Sequence, residues 1–203
     1  MIRFIFICFL IPYTLTAQLE SFASFSSFNS PEGPYLETYL SINSNSLKLI
    51  ENSKNLFSGK LNVSIKIFKN DSIYFFDKYL LKSPNYIFEQ DNNLFFIDQQ
   101  RIKLNNGNYV IQIDIKDENQ ELYDNNVIRH TKEIVINYND ISISDIQLLD
   151  RYQKVDTINF LTKSGYDLYP LTLNFYSTKL DTLMFYFETY NTILIKEKRY
   201  LIN

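Results

Sequence analysis

Leu61-Asn62-Val63-Ser64-Ile65-Lys66-Ile67 and Tyr109-Val110-Ile111-Gln112-Ile113-Asp114-Ile115-Lys116 decide how this chain folds. Apolar residues take every second position in both stretches, and Asn62, Ser64, Lys66, Gln112, Asp114 and Lys116 fill the places between. Successive side chains of an extended chain point to opposite faces, so this alternation predicts strands with one face in a core and one in water. A helix would need a repeat near 3.6, and no long stretch of the chain has one.

Turn residues bracket these runs. Lys69-Asn70-Asp71-Ser72 follows the first, and residues 73–81 return as an aromatic-rich strand. Residues 83–93 are polar, include Pro84 and read as a loop, and residues 94–97 form a short apolar strand. Asn105-Asn106-Gly107-Asn108 is the sharpest turn signal, because Asn-Gly accepts the positive φ of a tight hairpin. Residues 117–119 turn again, and residues 132–138 give a further strand. Upstream, Asn29-Ser30-Pro31-Glu32-Gly33-Pro34 is a dense turn cluster, with a candidate first strand at residues 35–42. About seven short strands at regular spacing predict an all-β fold, an immunoglobulin-like antiparallel sandwich over residues 31–138. An up-and-down barrel is the alternative arrangement. Residues 18–30 are Ser- and Phe-rich without a period and read as a loose arm.

Asn139-Asp140 marks a boundary, and residues 141–203 read as a partial second β domain. Residues 141–149 and 183–190 are strand-like, and Thr162-Lys163-Ser164-Gly165 turns between them. About four strands are too few for a closed sandwich, so open edges and an apolar face need a cover. The first domain, a partner or the missing part of a longer protein would supply it.

Residues 1–17, MIRFIFICFLIPYTLTA, have one cation (Arg3), an apolar run, a Pro12 break and a small residue at Ala17. This is the layout of a secretory signal peptide, and the run is shorter than the ~20 residues of a membrane-spanning helix. The expected location is the periplasm or cell surface, with no membrane span after the leader is removed. The single Cys, Cys8, leaves with the leader, so the mature chain would rest on its core and not on disulfides.

Several segments together resemble a known group. They are Phe28-Asn29-Ser30-Pro31, Gly33-Pro34-Tyr35-Leu36-Glu37-Thr38-Tyr39-Leu40, Phe96-Ile97-Asp98-Gln99-Gln100-Arg101-Ile102 and Lys163-Ser164-Gly165-Tyr166-Asp167-Leu168-Tyr169-Pro170. The set is similar to the N-terminal part of exported, uncharacterised multi-module β proteins related to the GWxTD-domain group. The signature itself is absent, since the chain has no Trp. The resemblance implies an exported multi-module β protein and transfers no active-site residue.

Composition narrows the chemistry. A net charge of −3 gives no basic excess to neutralise a phosphate backbone, so nucleic acid is not an expected partner. His130 is the only imidazole, and no Gly-flanked nucleophile turn accompanies it. One His without a thiolate in the mature chain is a poor zinc set. Asp114, Asp117, Glu118 and Glu121 gather near one hairpin, but Lys116 sits among them and their spacing fits no calcium loop. Tyr74, Phe75, Phe76 and Tyr79 could offer a sugar-stacking platform, although Phe75 and Tyr79 share one face and Tyr74 and Phe76 the other. Asp71-Ser72-Ile73, Asp156-Thr157-Ile158 and Asp181-Thr182-Leu183 resemble acceptor sites of periplasmic O-glycosylation. Asn62-Val63-Ser64 falls in mid-strand, where an N-linked glycan would be awkward.

The sequence therefore reads as a non-enzymatic envelope protein with no catalytic, cofactor-binding or metal residues. It is expected to bind or scaffold another envelope protein, through exposed strand edges of the second module. The alternatives are a carbohydrate-binding module, a truncated fragment of a larger exported protein, and a hydrolase using paired carboxylates that only a structure would reveal.

Overall fold

The computed structural model describes residues 19–52, 54–87, 95–120, 127–173 and 181–192. The leader assigned to residues 1–17, Leu94 and Glu121 lie outside them. The strands, in chain order, begin with β1 (Ser21–Ser30), β2 (Gly33–Asn43), β3 (Ile50–Glu51), β4 (Phe57–Ser58) and β5 (Lys60–Lys69). Next come β6 (Ser72–Lys82), β7 (Phe95–Lys103), β8 (Gly107–Asp117), β9 (Val127–Ile136) and β10 (Ser142–Ile143). The remainder are β11 (Gln147–Lys154), β12 (Thr162–Lys163), β13 (Tyr166–Pro170), β14 (Met184–Tyr186) and β15 (Thr189–Tyr190). Among the described residues the only helical element is a 3₁₀ turn at Ser44–Ser46.

Two antiparallel sheets face each other, one ordered β1-β2-β7 and the other β6-β5-β8-β9. Strands β1, β2 and β7 thus form one layer and β6, β5, β8 and β9 the other, an immunoglobulin-like sandwich. Its core follows the period-two stretches. Val63 pairs with Ile115, Ile65 with Ile113 and Ile67 with Ile111, and all six are buried. Leu36, Leu40 and Ile42 of β2 and Ile102 of β7 meet them from the opposite layer. Each such side chain contributes about 1.5–3 kcal/mol on burial, so these few residues account for much of the sandwich's stability. On the outer face of β5 and β8, Asp114 binds Lys66 at 3.3 Å and Arg129 at 2.6 Å.

Several elements differ from the sequence expectation. In the stretch expected as a loose arm, residues 18–30, the described part is not loose: β1 pairs with β2 in unbroken register from Ser21↔Ile42 to Ser30↔Gly33, so the sandwich starts ahead of residue 31. Its Phe residues stand three apart, which hides the strand period. Phe25 leans on the core, whereas Phe28 is buried on the other face of the sheet, so both faces take aromatic rings. Asn105-Asn106-Gly107-Asn108 does turn the chain, but it joins β7 to β8 in the opposite layer and closes no hairpin. Asn106 instead accepts from the Tyr138 backbone N–H at 3.1 Å and donates to Asn139 at 2.7 Å. β7 runs on through Asp98-Gln99-Gln100-Arg101, of which the first three are partly buried and Arg101 is exposed, with Asp98 bonded to Tyr79 of β6 and Arg101 to Glu37 of β2.

The second module is smaller, a sheet ordered β12-β13-β11-β14 with a β10-β15 pair beside it. Residues 141–149 are not one strand, because Asp145 interrupts them. Its carboxylate accepts from Ser27 N and Oγ at 2.8 and 2.7 Å, and its N–H donates to Ser27 O at 3.1 Å. Residues 183–190 likewise split into β14 and β15. The module lies against β1 and β2, and Leu36 through Ile42 is consequently buried on both faces of β2.

Candidate functional site at the joint between modules

The most unusual chemistry lies where the second module meets the first sheet. Alternation along β2 sends Leu36, Leu40 and Ile42 into the core and Glu37, Tyr39 and Ser41 to the other face. Glu37 is therefore a carboxylate with no solvent contact. Three donors converge on it. Arg101, directly opposite in β7, gives Nε to Oε1 at 2.6 Å, Lys163 gives Nζ to Oε2 at 2.7 Å, and the Tyr39 hydroxyl donates to Oε2. A buried charge needs such partners, because desolvation alone costs several kcal/mol per ion.

Lys163 is aimed by its turn. β12 and β13 are joined by Ser164 and Gly165, both at positive φ (+52° and +82°), and the tight reversal sets Lys163 opposite Tyr166. From there its ammonium lies 3.2 Å from the centroid of the Phe28 ring and 5.4 Å from that of Tyr186. Gln147 accepts a longer bond of 3.4 Å. Burial pulls the Lys163 pKa down to about 8, with Glu37 opposing the fall. Burial and the Glu37 carboxylate push the Tyr39 hydroxyl far above its ordinary value. The Lys163 amine is thus easier to deprotonate than most, yet its side chain is only 7% exposed. The cluster is built to hold two layers together, and no nucleophile–base pair opens to solvent from it.

A cleft of about 430 Å³ adjoins the joint, between Phe95 and Ile97 of β7 and Leu161, Tyr169 and Leu173 of the second module. Arg151 stacks 4.0 Å above the Tyr169 ring on its wall and reaches Asp150 at 3.3 Å. A shallower depression of about 380 Å³ lies beside Arg101 and Lys103, with Tyr35 and Glu32 at its margin.

The residues singled out from sequence are dispersed. His130, on β9, shares a 2.9 Å hydrogen bond with Ser21 Oγ, and burial lowers its pKa. No carboxylate orients the ring among the described residues, so the two form a tie between β1 and β9. Asp114 and Asp117 point to opposite faces of β8. Asp117 caps the backbone N–H groups of Lys48 and Asn119, and Glu118 accepts from the Asn62 side-chain amide. No group of three or more acidic, His or Cys residues able to hold a metal occurs among the described residues. Phe75 and Tyr79 pack against the core, with Tyr79 donating to Asp98 at 2.5 Å, whereas Tyr74 and Phe76 are exposed. Ser72, Thr157 and Thr182 are all exposed, and Asn62 stands in mid-strand with its amide engaged.

Glu37 and Lys163, 126 positions apart, were not legible as a pair. The available signal was a lone acid within the apolar-aromatic run Leu36-Glu37-Thr38-Tyr39-Leu40, which a solvated strand face also explains. No family model matches this sequence, and no curated protein matches it significantly. No helix among the described residues is long and apolar enough to cross a membrane.

Proposed function

We propose that this chain is an exported, non-enzymatic protein of the cell envelope, at the periplasm or cell surface, whose β-sandwich architecture binds or scaffolds another envelope protein. The observation that carries the reading is the surface of the second module. Ile143, Ile146, Tyr152, Phe160, Leu183 and Phe185 are all exposed there, each by about half or more of its area. Single exposed apolar residues are ordinary, but so many on a small module favour a contact surface. Phe185 stacks on Phe187 with centroids 6.1 Å apart, and it pairs with Leu148 across β11 and β14. β12 and β14 bound the sheet, and a strand added there would gain backbone bonds as well as apolar contact. The charged groups at the joint bind one another, which also suits a scaffold better than a reaction centre. The export part of the reading rests on residues 1–17.

Comparing envelope extracts with the purified chain tests the proposal. The chain in the extract is expected to migrate at a mass above that of the purified chain under the same conditions. Phe185→Asp should abolish the difference while leaving the circular dichroism spectrum unchanged. Identical migration in both samples refutes the scaffold reading. Recovery of an intact Met1 N-terminus from the cytosol, in place of a chain beginning near Gln18, refutes export.

A further inference from the structure

β9 is one margin of the four-stranded sheet, paired with β8 alone, and no other backbone hydrogen bond of β9 occurs among the described residues. Long open edges invite pairing with another strand and are commonly blocked by like charges or proline. β9 has no proline and no run of like charge, and its one guard is Lys132 on the inward row. On its outer face run Val127, Arg129, Thr131, Glu133 and Val135, alternating with the inward Ile128, His130, Lys132 and Ile134. The outer row is symmetric about Thr131 in size and antisymmetric in charge.

We propose that β9 pairs antiparallel with β9 of a second copy of this chain, across a two-fold axis at Thr131. In that register Thr131 faces itself, Arg129 faces Glu133 of the second copy, Glu133 faces its Arg129, and Val127 and Val135 face one another at both ends. Residues directly opposite in an antiparallel pair share a face with Cβ atoms about 4.5–5.5 Å apart, so the ion pairs and apolar contacts form together. The contact is isologous, so every favourable pair occurs twice and the assembly closes at two chains. Inside the sandwich, Ile128 would lie opposite Ile134. His130 would lie opposite Lys132, and burial favours the neutral ring there.

The side chains are ready for this contact. Val127 and Val135 are 42% and 68% exposed although both are aliphatic. Arg129 lies on the outer face, tied back to the Asp114 carboxylate of β8 by Nε and Nη2 at 2.6 and 3.2 Å, which leaves Nη1 for a further acceptor. Glu133 is exposed beside Val110 in β8, and Arg129 lies four residues away along the same strand, too far to reach it. The opposite margin, β6, lacks the property: centred on its middle residue, the same operation sets Asp77 against Asp77. The inference concerns the first module and does not depend on what the second module contacts.

Charge exchange in the purified chain tests the pairing. Sedimentation should show a concentration-dependent dimer of the unaltered protein. Glu133→Lys alone and Arg129→Glu alone should each raise the dissociation constant by about tenfold or more, since both symmetry-related pairs become repulsive. An equimolar mixture of the two variants should recover dimers, because every position then meets its opposite charge. A misfolded variant cannot give that recovery. In a Cys8→Ser chain, Thr131→Cys should oxidise to a disulfide-linked dimer, whereas Glu133→Cys should not. A monomeric unaltered protein at all concentrations, an unchanged constant in Glu133→Lys, a mixture that stays monomeric, or cross-linking through residue 133 in preference to 131 overturns the proposal.

Discussion

Lys163 shows how much one residue can depend on its surroundings. Moving its pKa from 10.5 to about 8 corresponds to roughly 3 kcal/mol of cost for keeping the ammonium buried. The folded state releases this proton more readily than the unfolded state does. Between about pH 8 and 10 the unfolded chain therefore binds more protons, and stability rises with pH. Above pH 10 the sign reverses: burial holds the Tyr35, Tyr39, Tyr79 and Tyr190 hydroxyls protonated, while an unfolded chain ionises them. Urea titrations should thus find maximum stability near pH 10, and a curve falling steadily from pH 8 would refute the assignment. Lys163→Met should remove the rise. At neutral pH it should leave the protein at least as stable, because it lifts the cost of burying the ammonium while Arg101 and Tyr39 still serve Glu37.

Strands and turns obey simpler rules, and their predictions follow directly. Ile113→Ala leaves a void between β8 and the opposite layer and should cost about 2–5 kcal/mol in denaturant titration. Ser64→Ala, on the outer face of the neighbouring strand, should change stability by no more than about 0.5 kcal/mol. Gly165→Ala meets no neighbour, since nothing lies within 4 Å of the added carbon, so its expected cost of about 1–2 kcal/mol is the left-handed backbone alone. These elements also divide what sequence could reveal from what it could not. β5 and β8 were legible because each has one dry and one wet face. β1 was illegible because a second layer buries its other face, so Phe22, Phe25 and Phe28 conform to no single period. The turn at Asn105-Asn106-Gly107 was legible as a turn, but local chemistry does not say whether the next strand returns alongside or crosses to the other sheet. The Glu37–Lys163 pair belongs to the same category, since only the packing of distant strands brings the two together.

At the scale of the whole molecule, the second module depends on the first for its stability. Among the described residues its sheet has four strands with short margins, and so small a core offsets the entropy of ordering it only marginally. What holds it is the joint: Asp145 on Ser27, the Tyr190 hydroxyl accepting from Asn29 N–H at 2.9 Å, Tyr190 edge-on to Tyr138 at 5.2 Å, and Lys163 on Glu37. The sandwich has the larger core and does not need these contacts to the same degree. Loosening them should therefore release the second module first. In hydrogen exchange the unaltered protein is expected to protect β11 and β13 in step with β5 and β8, as one cooperative unit. Combining Asp145→Ala with Tyr190→Phe should raise exchange in β11 and β13 while β5 and β8 keep their protection, because Val63, Ile65, Ile111 and Ile113 are untouched. If all four strands lose protection equally, the sandwich needs its neighbour as much as the neighbour needs it, and the asymmetry drawn from core size is wrong.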